Sequence, residues 1–197
     1  MARPKAYDRD AVLVAARNLF WERGYEATSI SDLEQRTGLN RSSLYQEFGS
    51  KHALLEAALS SYVDEVVAAL LADLHGAAAS LETVAAFFAR LAALFRSSTR
   101  PAMHGCLLVN TIAELEGRDE RVRPAGAGYR RRLRAGFAAA LTKASQLGQI
   151  ETDTVDARAE LLVALLLGVW LTVRIDAGAA ADLCETIEHE IASWQSC

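Results

Sequence analysis

The sequence predicts an all-α chain of about nine helices. Apolar residues recur at helical spacing, and the alternation of a half-buried strand is absent. Only 3 prolines and 12 glycines punctuate 197 residues, 51% of them hydrophobic, with alanine and leucine dominant. Capping residues and glycine stops bracket the first periodic stretches: Ser29, Asn40 and Ser50 as starts, Gly24, Gly38 and Gly49 as stops.

The first helix runs from Asp8 to about Arg23, burying Val12, Ala16, Leu19 and Phe20. In the second, Ser29 and Asp32 stand at capping-box spacing, and Ile30 and Leu33 make one apolar edge. Gly38 can take the left-handed conformation that ends it. Asn40 caps a third helix opening at Arg41. Leu44 and Phe48 share its core face, while Ser42, Tyr45 and Gln46 share another at i, i+3, i+4 spacing. The core needs none of those three, and all can hydrogen-bond. Two short helices joined by a tight turn, the second polar on one face, is the layout of a helix-turn-helix that reads a DNA major groove. Lys51, in the first turn of the next helix, opposes the helix dipole unless an anion such as a phosphate lies nearby.

That next helix runs from Lys51 to about Leu74. Others follow at about Leu81 to Ser97, Gly105 to Leu115, and Ala127 to Ala144. A polar, Gly- and Pro-bearing connection is expected over residues 118–128. The last two helices run about Val155 to Ile175 and Ala179 to Trp194. The former is apolar nearly all round, so it must be covered on most sides. Gly168 within it costs helix stability unless a partner helix approaches closely. Leu183, Ile187, Ile191 and Trp194 form a stripe on the final helix. These faces suit either packing within one subunit or a four-helix interface between two copies. A single helix-turn-helix reads few bases, which favours a two-fold dimer on a palindrome.

Charge adds little. Net charge is −4; residues 1–51 carry eight Lys or Arg against seven Asp or Glu. A DNA role therefore rests on geometry rather than on a basic field. Arg3 and Lys5 offer a short basic arm or a frayed terminus, and the run Arg130, Arg131, Arg132 and Arg134 reads as a solvated helix face. The longest apolar stretch, Leu161 to Val173, is shorter than the ~20 residues a bilayer needs. Cys106, Cys184 and Cys197 form neither a disulfide framework nor a zinc pattern. A cytoplasmic protein without metal, cofactor or catalytic residues is expected.

Residues Asp8 to about Leu59 resemble the DNA-binding domain of the tetracycline-repressor (TetR) family of bacterial regulators. The resemblance is carried by LFWERGYEATSI and by ISDLEQRTGLNRSSLYQEFGSKHALLEAAL. It implies a DNA-binding domain over 1–59 and an effector-binding and dimerisation domain over 60–197. It also implies that Arg41, Ser42 and Gln46 meet base edges, while Thr28, Ser29, Ser43, Tyr45 and Lys51 hold phosphates. Glu47 has no assigned role, since an acid near the groove repels phosphate yet can accept from a cytosine amino group. The implied partners are operator DNA, a second copy and a small-molecule effector. Candidate pocket walls are Phe87, Leu91, Phe95, Met103, Cys106, Leu107, Asn110, Tyr129, Phe137 and Trp170. Aromatic and Met residues at this spacing also suit a plain core. Cys106 falls in MHGCLLVNTIAEL near a helix start, where the dipole favours thiolate and His104 or Arg100 would add to it. The GCLLVNT stretch is similar to a subset of the family in which some members sense electrophiles or oxidants through this cysteine. The competing readings are a small apolar core residue and, more remotely, a nucleophile with His104 as base.

Overall fold

The computed structural model describes residues 7–97 and 103–195, and every regular element among them is helical. Arg3, Lys5, Arg100 and Cys197 lie outside the described residues. The first three helices are α1 (Arg9–Arg23), α2 (Ile30–Thr37) and α3 (Arg41–Phe48). Next, α4 starts at Lys51–Ser61 and continues through a π-helical Tyr62–Val67, an α-helical Ala68–Leu71 and a 3-10 Ala72–His75. Then come α5 (Leu81–Arg96), α6 (Leu107–Leu115), α7 (Val122–Gln146), α8 (Val155–Thr172) and α9 (Ala177–Ala192).

The caps explain the boundaries of the first unit. Asp8 accepts from the N–H groups of Asp10 and Ala11. Ser29 and Asp32 close a reciprocal capping box, and Gly38 ends α2 at φ 73°. Asn40 accepts from the Ser43 N–H, and Ser50 from the Ala53 N–H. Leu19, Phe20, Leu33, Leu44, Leu54 and Leu55 are all under 5% exposed, and they bind the four helices into one core. Burying each such side chain stabilises the unit by about 1.5–3 kcal/mol.

One expectation needs correction. The connection over 118–128 is mostly helix, because α7 begins at Val122. Pro124 sits in its first turn, where no N–H is required. Gly126 lets α7 approach α6 closely: a Cβ there would come within 2.6 Å of Ile112 Cδ1. The glycine read as a breaker is a packing device. The helix from Lys51 keeps its expected span but is irregular, with a π segment at Tyr62–Val67. There Arg17 of α1 donates to Ser61 Oγ (2.9 Å) and Glu65 Oε2 (2.7 Å). Trp21 packs edge-on against buried Tyr62, ring centroids 5.1 Å apart.

The remaining core is built where α5 lies against α9 and α7 against α8. Phe87, Phe88 and Phe137 interlock at its centre, with centroids 5.1–6.0 Å apart. Among the described residues, no helix is long and apolar enough to cross a membrane.

Candidate nucleic-acid interface

The surface that matters is the side of α3 that the core leaves uncovered. Leu44 and Phe48 take the buried face. Arg41, Ser42, Tyr45 and Gln46 are exposed, and Ser43 is half-buried. The Arg41 guanidinium lies 5.5 Å from the centroid of the Tyr45 ring, so the helix presents the two side chains together. The first N–H of α3 has a partner within the protein: Arg41 N donates to Glu34 Oε1 at 2.5 Å. Glu34 of α2 therefore fixes where α3 starts, and no local pattern announced that role.

Glu47 gains an explanation. It accepts from the Tyr7 hydroxyl and, at 2.9 Å, from Arg9 Nε. Its side chain is only 7% exposed, so it braces α3 against the start of α1 rather than standing in a groove.

The phosphate set is split. Lys51 sits at the start of α4 with its Nζ 4.2 Å from the centroid of the Tyr25 ring. Partial burial lowers its pKa, while the carboxylates of Glu26, Glu114 and Asp32 pull the other way. Ser29 is exposed, but its hydroxyl is engaged with Asp32, whose pKa falls through that bond. Thr28 corrects the expectation outright. It is fully buried, and its hydroxyl donates to the Gly24 carbonyl at 2.6 Å, closing the turn after α1 instead of facing a phosphate.

The cavity also departs from the expected walls. A cavity of about 330 Å³ lies between α4, α6 and α7. Leu55, Leu59, Val63, Leu108 and Ala125 give it an apolar lining, and Tyr129 is the one expected wall residue on it. Phe87, Leu91, Phe95, Leu107 and Phe137 are at most 2% exposed and lie in the packed core. Trp170 packs edge-on against Phe95. Met103 points outward at 47% exposure. Asn110 lines a separate cleft beside Phe20 and Trp21, and its amide donates to the His104 carbonyl. The spacing marked these residues as inward-facing, which a solid core satisfies as well as a cavity wall.

Cys106 is fully buried at the start of α6. Its thiol lies 3.4 Å from the Tyr129 hydroxyl, which also accepts from Trp170 Nε1 at 3.1 Å. Burial raises the thiol pKa, outweighing its hydrogen bonds with the Tyr129 and Tyr62 hydroxyls and with the backbone of Leu108 and Val109. Desolvation thus outweighs the dipole that favoured a thiolate. Among the described residues, no group of three His, Cys, Asp or Glu could hold a metal ion.

The model for bacterial regulatory proteins of the tetR family matches residues 12–58, and that for the tetracyclin repressor-like C-terminal domain matches 80–187, more than half the chain. The chain belongs to the TetR family. This TetR-family chain is 43% identical over 114 residues to the transcriptional repressor ComR of Escherichia coli. That match covers 57% of this chain and about half (53%) of ComR. It is 28% identical over 189 residues to the regulator YezE of Bacillus subtilis, covering 96% and 95% of the two chains. Among solved structures, it is similar to a cysteine mutant of the TetR-family regulator CifR bound to 26-base-pair operator DNA. That likeness has TM-score 0.81 and 28% identity over 98% of this chain and 100% of that one. As a TetR-family member the protein is a DNA-binding transcriptional regulator, and the helix-turn-helix formed by α2 and α3 is its DNA-binding element.

Proposed function

We propose that the protein is a ligand-responsive repressor that binds a palindromic operator as a homodimer and releases it when an effector binds. The observation that carries this reading is the uncovered α3 face of Arg41, Ser42, Tyr45 and Gln46. Arg41, Ser42 and Gln46 reach base edges in the major groove, and Ser43, Tyr45 and Lys51 meet the backbone. Dimerisation is supported by an exposed stripe on α8 and just beyond it: Leu161 (46% exposed), Leu171 (52%) and Ile175 (88%). Gly168 lies along the same stripe, and a Cβ there would meet nothing within 4 Å, which leaves room for a second helix. Release is supported by the cavity, which touches both α4, the helix that carries Lys51, and α7. An effector that prefers the DNA-incompetent arrangement lowers operator affinity, and DNA lowers effector affinity by the same factor.

Selection of bound fragments from random duplex DNA tests the reading. The expected product is a palindrome, and a non-symmetric or absent consensus rejects the dimeric operator. A thermal-shift panel of small molecules tests the effector arm, since a ligand of the folded state raises the melting temperature. Sensing through Cys106 is disfavoured by the enclosed thiol, as is a Cys106 nucleophile. Operator release by an electrophile in the wild type, abolished in Cys106→Ser, would restore the sensor.

A further inference from the structure

One carboxylate outside the DNA-facing set holds the chain that leads into it. Glu114 lies on α6, far in sequence from the helix-turn-helix. Its Oε2 accepts from the Tyr25 N–H at 2.9 Å and its Oε1 from the Glu26 N–H at 2.8 Å. Two consecutive backbone N–H groups converging on one anion form an anion-binding nest. The nest follows Gly24, which holds φ 86°, and a Cβ there would stand 2.9 Å from Glu114 Oε2. Glycine thus serves both the backbone angle and the approach of the carboxylate.

The held turn touches both phosphate-side elements. The Tyr25 carbonyl accepts from the Thr28 N–H at 3.2 Å, immediately before the Ser29 cap of α2. The Tyr25 ring carries the Lys51 ammonium at 4.2 Å. We propose that Glu114 is a positioning residue for DNA binding: by occupying the Tyr25–Glu26 nest it sets where α2 and Lys51 stand relative to the rest of the subunit. This rests on the operator reading above. Without the latch, the helix-turn-helix samples orientations that do not meet a duplex. Apparent affinity falls by the fraction of molecules still competent, so a competent share of about one tenth weakens binding about ten-fold.

The chemistry separates the variants. Glu114→Ala removes both acceptors. Glu114→Gln keeps one acceptor oxygen but turns an NH2 group toward the other N–H. Water can take both freed N–H groups in Glu114→Ala and the one freed in Glu114→Gln, so the fold survives. The test uses the full chain, the duplex recovered by selection, and a random duplex of equal length. Glu114→Ala is expected to lose about ten-fold in affinity for the selected duplex, with Glu114→Gln between it and the wild type. Random-duplex affinity falls as well, because α2 and Lys51 meet phosphates of any sequence; the melting temperature stays near its wild-type value, while amide hydrogen exchange rises over residues 24–28. Unchanged affinity for the selected duplex, or affinity that falls only in step with the melting temperature, overturns the assignment. A wild type that does not distinguish the two duplexes refutes the operator reading itself, and the latch with it.

Discussion

Arg41→Ala isolates direct base reading from everything else α3 does. The side chain is exposed and stacks only loosely on Tyr45, with 5.5 Å between guanidinium and ring centroid. The start of the helix does not depend on it, since Glu34 holds the backbone N–H and Asn40 supplies the cap. Removing a cation from the first turn relieves an unfavourable dipole contact of about 0.3–1 kcal/mol, so the melting temperature should hold or rise slightly. A good bidentate base contact is worth about 1–3 kcal/mol of discrimination, or roughly 5- to 150-fold at one half-site. In a symmetric dimer the loss occurs twice and the factors multiply, giving at least about 25-fold on the palindrome. Fluorescence anisotropy on the selected operator and its single-base variants measures this. The loss should be concentrated at one symmetric pair of positions, where the variant no longer distinguishes bases. An even loss across all base variants, a loss under about two-fold, or a fallen melting temperature would refute the base-reading role.

Other outcomes follow from the same geometry. Lys51→Ala should weaken selected and random duplexes alike and lower the slope of log K against log salt by about 0.9 per subunit, without altering base preference. Gly168→Arg, placed where a Cβ meets nothing within 4 Å, should leave the helical circular-dichroism spectrum intact and convert the dimer to monomer in sedimentation. An unshifted dimer removes α8 from the interface. Asp119 has its pKa lowered from 3.8 to about 2, chiefly by hydrogen bonds from Arg121, with His52 contributing. A depressed carboxylate pKa stabilises the fold above its unfolded value, and this is lost as pH falls from about 4 toward 2. Melting curves should therefore show a shallower acid slope in that window for Asp119→Asn.

The DNA-facing element was legible from local rules, because caps, glycine stops and i, i+3, i+4 spacing act within one or two turns. Ser29, Gly38 and Asn40 mark the boundaries the structure has, and Leu44 and Phe48 turn inward to leave the opposite face free. Reading failed where a distant contact overrode a local signal. Gly126 looked like a break but seats α7 against Ile112. Thr28 is a different case: the resemblance implied a phosphate contact, but its hydroxyl is taken up within its own turn by the Gly24 carbonyl. A buried Phe and a pocket-lining Phe have the same periodicity, so Phe87 and Phe137 gave no hint that they interlock with each other.

By itself the sequence determined the all-helical class, the limits of α1, α2 and α3, and which side of α3 is polar. Short-range hydrogen bonding and periodicity decide those features before any tertiary contact forms. Only the tertiary structure decided that Glu47 braces α1, that Cys106 is sealed beneath Tyr129, and that Glu114 grips the turn at Tyr25. Those pairings join residues that are 23 to 89 positions apart. No local rule spans such separations; they are settled by how the helices pack.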